Sequence, residues 1–418
     1  MTHSTGWTAA RTQASYDTVV LGAGSMGLST ADALTKQGQT VLLLDRYDPP
    51  HAFGSHHGDT RLFRMAYAEG AAYIPLLQDA RRRWLDLEHR AQALGLPYRP
   101  GDLFAPIGVI NVSRESGALA KEVQDSIDAY ALPCERLDAQ EAMSRWPGLS
   151  LADDGVVYLD SQGGVLFPQA CLTVYKEACL AQGAKVMVGQ GRVWVDPVSL
   201  DISIDWNGEH FTAKNLVVTA GAGAKDVLDS QLGLSLPLQV TRKTVAWFRP
   251  RAGTAPLRSV PPALPNPLYE APLFPGFLAE SEQGTFYGFP DFGDGVKLGR
   301  HDGGTPCTLD TVDRDFASDP RDERELRSFL ESFLPQAAGR LERGSVCLYT
   351  MTPDEHFVID YHPRYDNVVI ATGFSGHGFK FASVVGEVVG RMVTHVDAGC
   401  DLSLFQAKRL TGNMDDQE

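Results

Sequence analysis

Residues 16–45, YDTVVLGAGSMGLSTADALTKQGQTVLLLD, constrain the fold of this chain more than any other stretch. Residues 17–21 are largely β-branched and apolar, the pattern of a strand buried on both faces. Gly22, Gly24 and Gly27 follow as G-x-G-x-x-G at the mouth of a helix whose apolar face reads Met26, Thr30, Ala33 and Leu34. The first glycine permits a tight turn, the second lets backbone approach a pyrophosphate, and the third lets helix and strand pack closely. The helix N-terminus adds partial positive charge. A second apolar strand, 40–44, ends in Asp45, eighteen residues after Gly27, where a carboxylate accepts hydrogen bonds from ribose hydroxyls. Motif, strands and acid agree on a Rossmann-like dinucleotide site.

The chain's 418 residues are enough for two or three domain-sized units. Its 52 acidic against 37 basic residues, net charge −15, argue against a nucleic-acid or anionic-membrane surface. An anionic ligand must therefore be held by locally placed cations. No apolar run approaches a membrane span, and the first fifteen residues lack the apolar core of a signal peptide, so 1–15 is expected to be a disordered extension. Six cysteines show neither C-x-x-C nor Cys/His ligand spacing; no metal site is expected, and reduced thiols in the cytoplasm are.

After Asp45 comes YDPPHAFGSHHGDTRLFR, a loop too polar for a core but placed to lie along a cofactor; His56, His57, Arg61 and Arg64 are its candidates. Helices are expected at 73–94, 115–130 and 169–182, with 160–168 a turn, and strands at 185–188, 193–195 and 201–205. Residues 213–228 repeat the strand, glycine turn, helix grammar of the opening, so the nucleotide domain is discontinuous. The expected division is 16–98, 158–233 and 352–412 for the cofactor, and 99–157 and 234–351 for an interleaved, mainly antiparallel substrate domain, an α/β (α+β) architecture. Residues 236–299 are rich in proline, glycine and aromatics and carry the short strands KTVAWF, GTFYGFP and VKLGRH, an antiparallel cap over a site. A third strand and turn, at 367–378, ends in Gly373, Gly376 and Gly378, with a helix expected from Phe379; its N-terminus, with Gly376, Gly378 and Lys380, would face an anionic cofactor ring. Lys380 in that first turn opposes the helix dipole, a broken local rule of the kind that marks function.

Taken together, VVLGAGSMG, PPHAFGSHHGDTRLFR, YGFP, KLGRH, VCLYT, DEHFVID and GFSGHGFKFAS resemble the monomeric sarcosine oxidase and N-methyl-tryptophan oxidase family over residues 16–405. The resemblance implies FAD rather than NAD, on a D-amino-acid-oxidase-like fold, joined through a cysteine thioether to the flavin 8α-methyl, here Cys347. It implies His57 and Arg61 against the flavin, Arg64 and Lys380 on the substrate carboxylate, and His301, Tyr287 and Tyr349 around the amine. Lys297 matches the lysine that the family places over the flavin for oxygen activation. Three features depart from the family's pattern: Met65 after the clamp arginine, Met351 after VCLYT, and the length of the loop between YGFP and KLGRH.

The activity so implied is oxidation of a secondary amino acid, such as sarcosine, to an imine, with oxygen reduced to peroxide, by a monomer. Bulkier substrates share the clamp: N-methyl-tryptophan, pipecolate and fructosyl amino acids. An NAD-dependent dehydrogenase would keep the opening motif but have no use for the fixed thiol. A non-catalytic flavoprotein subunit would yield no peroxide from any secondary amine.

Overall fold

The computed structural model describes residues 14–251 and 267–411. The strand Ala14–Leu21 lies inside an eight-stranded sheet, parallel to Val41–Asp45 on one side and to Glu209–Val218 on the other. Lys185–Val188 extends the parallel run beyond Val41–Asp45, and Tyr365–Thr372 joins it beside the C-terminal half of Glu209–Val218. These strands are buried on both faces because alternate residues serve two cores. Val20, Leu43, Val217 and Val369 face a core shared with the helices Ser25–Lys36, Pro168–Ala181 and Ala382–Val393. Val19, Leu42, Leu216 and Val368 face the strands Gly191–Val195 and Ile202–Trp206 and the leucines Leu228, Leu232 and Leu234.

The first helix is more enclosed than an amphipathic stripe requires: every residue from Met26 to Thr35 is buried. The cause is a second helix on its outer side. Gly386 of Ala382–Val393 approaches so closely that a Cβ there would lie 2.4 Å from the Ser29 backbone. The one acid of the first helix, Asp32, is neutralised by Arg90, 2.9 Å from Oδ2, and by Lys36 at 3.0 Å.

A nine-stranded, mostly antiparallel sheet forms the second layer, with Gln239–Phe248 between Leu341–Met351 and Val296–Arg300, then Gly284–Phe289, Gly276–Ser281, Val109–Arg114, Gly155–Asp160 and Cys134–Asp138. Its far face packs on the helix Pro320–Phe333, where Phe286 stacks on Phe329 at 4.1 Å between centroids.

Several expectations change in detail. The presumed turn 160–168 contains a short strand, Gly164–Leu166, paired with Arg61–Phe63 and Phe104–Ala105. The helix expected after Glu209–Val218 is present but irregular, a 3₁₀ turn, Gly221–Gly223, one α turn, Ala224–Val227, and a π-helical stretch, Leu228–Leu232, that brings Leu228 and Leu232 into the core. The final helix begins at Ala382, so Lys380 sits in a preceding 3₁₀ turn, Phe379–Phe381. The division drawn between 157 and 158 falls inside Gly155–Asp160, a strand of the antiparallel sheet. Of the presumed extension 1–15, residues 1–13 lie outside the described residues, while Ala14 and Ser15 pair with Phe211 and Thr212. Residues 252–266 of the proline-rich cap also lie outside. No helix among the described residues is long and apolar enough to cross a membrane.

Candidate active site

The glycine turn is built as its spacing requires. Gly22 takes φ +103°, and a Cβ at Gly27 would stand 1.8 Å from the Gly22 carbonyl oxygen, so no larger residue lets the helix sit on the turn. Gly24 has open space before it: a Cβ there would meet only His56 Nδ1, at 3.8 Å. Asp45 at the end of the second strand accepts from the amides of Ala23 (2.8 Å, Oδ2) and Tyr47 (3.1 Å, Oδ1), and His51 lies 3.2 Å from Oδ1. Burial would raise its pKa, but His51 and the amides outweigh that and hold the carboxyl below its usual value.

A cavity of about 490 Å³ opens from this turn, lined by Gly22, Gly24, Asp45, His56, Arg61, Tyr349, Gly376 and Gly378. Gly376 is glycine because Tyr349 lies on it: a Cβ would come within 2.1 Å of the ring. Buried polar atoms in the lining without a hydrogen-bond partner include His56 Nε2, Trp206 Nε1, Thr350 Oγ1 and Thr372 Oγ1. Unsatisfied buried groups are costly, and several around one cavity with a glycine cradle fit a polar ligand of dinucleotide size. FAD suits this donor set.

Beside the cavity, sheet register gathers the remaining candidates. Residues opposite each other on antiparallel strands, and residues two apart on one strand, share a face. Thr241 is opposite Tyr349, Lys243 opposite Cys347, and Trp247 opposite both Arg343 and Lys297; Gly299 is opposite Val245 and Tyr287. Cys347, Tyr349, Lys297 and Tyr287 therefore project from one face. Gly299 leaves room for the Tyr287 ring, which a Cβ there would meet at 2.6 Å. Cys347 is buried against Val245, Trp247 and Tyr287. Lys297 is fully buried, its ammonium donating to the carbonyls of Gly58 (2.5 Å) and Thr60 (2.9 Å) and to Thr60 Oγ1 (3.0 Å). Burial pushes its pKa well below the lysine value, and Arg61 pushes the same way. No salt bridge reaches it among the described residues.

The loop 51–64 supplies the other wall. Arg61 staples it by donating to the carbonyls of Ser55 (2.7 Å), His57 (2.7 Å) and Thr60 (2.8 Å). His56 and His57 are neutral at pH 7, since burial pushes them down to about 3 and about 4. Arg64 and Lys380 converge on one ring: the guanidinium lies 5.2 Å and the ammonium 4.8 Å from the Tyr67 centroid. Lys380 does not reach solvent; it is buried and donates to the His377 carbonyl at 2.9 Å and Tyr67 Oη at 3.4 Å. His301 stands 6.0 Å from Tyr349 and 6.4 Å from Tyr287, centroid to centroid. Burial takes it down to about 4, with Arg64, Lys243 and Lys380 adding to the effect and Glu69 opposing, so it is a neutral imidazole.

Sequence reading missed four participants. Glu69 pairs with Arg64; Tyr67 and His377 share a 2.6 Å hydrogen bond beside Lys380. Asp160 is buried and accepts four backbone amides, those of Met65 (2.5 Å), Ala66 (3.2 Å), Gln162 (3.0 Å) and Gly163 (3.0 Å), which fixes the chain next to Arg64. Lys243 was missed too, although its period-2 spacing with Val245 and Trp247 is a signal that could have found it, since a strand buried on that face buries the lysine too. The cysteines are all free; Cys171, Cys179 and Cys347 are buried, while Cys134, Cys307 and Cys400 are only partly so.

A dinucleotide cradle set against one wall of an antiparallel sheet marks an oxidoreductase of the flavin-binding type. Residues 17–392 match the family described as DAO, FAD dependent oxidoreductase, and the chain belongs to that family. Monomeric sarcosine oxidase from Bacillus sp. (strain B-0618) is 40% identical over 398 residues, 94% of this chain and 96% of that one. N-methyl-L-tryptophan oxidase from Shigella dysenteriae serotype 1 (strain Sd197) is 35% identical over 398 residues, 94% of this chain and 99% of that one. Among solved structures, NikD, an amino acid oxidase of nikkomycin biosynthesis, superposes with TM-score 0.77 at 22% identity, covering 94% of this chain and 98% of that one. Glycine oxidase from Geobacillus kaustophilus gives 0.75 at 20% identity, covering 96% and 100%. At those identities the structures speak to the fold alone.

Proposed function

We propose that the protein oxidises a secondary amino acid, N-methyl or cyclic, to its imine while oxygen is reduced to hydrogen peroxide; sarcosine would give glycine and formaldehyde after hydrolysis of the imine. The observation that carries this reading is the convergence of Arg64 and Lys380 on the Tyr67 ring beside a wall of Tyr287, Tyr349 and neutral His301. In a chain of net charge −15, two buried cations at one point suit a free carboxylate. FAD, when bound, accepts the hydride from the C–H beside the amine and passes the electrons to oxygen.

The residues divide the work. Arg64 and Lys380 hold the carboxylate and so fix which C–H is presented; the planar guanidinium adds orientation as well as energy. Neutral His301 leaves the amine free of a competing cation. Gly22, Gly24, Gly27 and Asp45 hold the nucleotide end of FAD, and His56, His57, Arg61, Gly376, Gly378 and Lys380 the flavin end. Lys297 places a positive charge where oxygen takes up an electron. Cys347 is the residue that would hold the flavin through a thioether. The nucleotide layer is read as 16–98, 161–233 and 352–412, and the substrate layer as 99–160 and 234–351, with the division at 157 and 158 moved past the strand Gly155–Asp160. A monomer in the cytoplasm agrees with six free cysteines and with the sarcosine oxidase likeness.

A peroxide assay across sarcosine, N-methyl-tryptophan, pipecolate, proline and fructosyl amino acids tests the reading. Peroxide from at least one is expected; none from any overturns it.

A further inference from the structure

Lys243 takes no part in the chemistry above, yet the sheet is deformed around it. The strand Gln239–Phe248 is paired on one edge first by Val296–Arg300 and then by Thr305–Cys307. Between Val245 and Arg242 the partner chain advances from Gly299 to Thr305, three residues more than an even antiparallel ladder uses. The excess loops out at His301 to Gly304, where Gly303 and Gly304 take φ +65° and +97°. Carbonyls lifted out of a ladder need other donors. Lys243 supplies them: its Nζ donates to the carbonyl oxygens of His301 (2.6 Å), Asp302 (2.7 Å) and Gly303 (2.7 Å).

An ammonium has three donors, and all three are used. The same group lies 5.1 Å from the centroid of the Tyr349 ring. The outer side of the loop is pinned independently, Asp302 accepting from the Thr285 amide at 2.8 Å and from Arg300 Nη2 at 3.0 Å. The loop is thus anchored without Lys243 but not shaped without it. Three successive carbonyls pointing at one spot form a cage for a monovalent cation, and the lysine fills it.

We propose that Lys243 is a positioning residue for the amine pocket: its ammonium is the built-in cation around which the His301 loop is wrapped, and it sets where His301 and Tyr349 stand. This rests on the reading of His301 and Tyr349 as pocket wall. Lys243→Ala empties the cage while leaving its oxygens in place. The variant should reduce its flavin with substrate ~10- to 100-fold more slowly, since misplacement by about 1 Å costs that much. Affinity for an acidic inhibitor, set by Arg64 and Lys380, should change less than about twofold by the same argument.

Ammonium chloride should restore at least about tenfold of the lost rate to Lys243→Ala, and tetramethylammonium chloride at equal ionic strength should not, having no N–H to donate. Lys243→Met, whose side chain fills the space without donors, should lose rate and gain nothing from ammonium, and it serves if the alanine variant does not fold. A wild-type reduction rate in Lys243→Met, or equal rescue of Lys243→Ala by both salts, overturns the proposal. Should no secondary amino acid reduce the wild type, the function above fails, and thermal melting then decides the cage alone. Ammonium must raise the Tm of Lys243→Ala relative to tetramethylammonium while leaving wild type unmoved; no difference between the salts overturns it.

Discussion

Arg64 and Glu69 form an ion pair, Nη2 to Oε1 2.7 Å, at the point where the proposed function puts a substrate carboxylate. Asn111 Oδ1 accepts a second, longer bond from Nη1 at 3.4 Å. The arginine proposed as the clamp is therefore already matched to a carboxylate, which would compete with the ligand.

Glu69→Gln should tighten binding of an acidic inhibitor, because the competing charge is gone, while lowering stability by about 2 kcal/mol for the unpaired guanidinium. That figure is below the loss for a dry pair because the Glu69 side chain keeps 19% of its surface exposed. The acid limb should change as well. Burial would raise the Glu69 pKa, but Arg64 and Lys380 outweigh it and hold the carboxyl at about 2, against 4.5 ordinarily. Its contribution to stability is present above 4.5 and lost as pH falls from there towards 2. Thermal melts of Glu69→Gln should lose that part of the acid dependence.

The clamp itself should titrate near neutrality. Burial pushes the Lys380 ammonium down to about 7, with Glu69 pulling up and Arg64 pushing down. A carboxylate ligand prefers the protonated lysine, so its Kd should rise by up to about tenfold per pH unit above 7 until the pKa of the complex is passed. In folding, the unfolded chain keeps this proton up to 10.5, so the group's contribution to stability rises with pH between about 7 and 10.5. Lys380→Met should remove the slope of Kd with pH, read by titrating the flavin absorbance. Arg64→Lys should weaken the acid by about ten- to a hundredfold, because an ammonium cannot reproduce the planar fork.

Cys347 is expected to hold the flavin. Acid precipitation should leave the yellow colour in the pellet for wild type and release it to the supernatant for Cys347→Ser. Colour wholly in the supernatant for wild type refutes the thioether.

Lys297→Met should slow reoxidation of reduced flavin by oxygen while leaving anaerobic reduction by substrate nearly unchanged, since a fixed cation favours formation of anionic superoxide. The lysine's donors all go to Gly58 and Thr60, so the loop 58–60 is expected to loosen too, visible as a lower Tm. Equal losses in the two half-reactions, measured by stopped flow, would remove Lys297 from the oxygen step.

What was legible in the sequence was what local rules govern. Gly22, Gly24, Gly27 and Asp45 announce themselves because a turn, a close approach and a strand end each demand one residue type. Lys380 drew notice by violating the dipole rule, and burial explains why: it sits in a 3₁₀ turn against Tyr67, not on an exposed helix end. The missed residues depend on long-range contact. Asp160 reads as an ordinary turn aspartate until Met65 and Ala66, distant in sequence, donate to it. Glu69 follows Arg64 in a run whose other members are apolar, and no periodicity reveals that the two side chains meet. The single face holding Cys347, Lys297 and Tyr287 depends on strand register, which no one strand encodes alone.

The most direct test mixes flavin-loaded protein anaerobically with the best amine of the panel, as free acid and as methyl ester, and follows the oxidised-flavin absorbance. Bleaching by the free acid, with the ester at least about tenfold weaker, is the predicted result, since one charge-assisted bond to Arg64 or Lys380 is worth that much. Bleaching by the ester at equal concentration and rate, or none by any secondary amino acid, would contradict it.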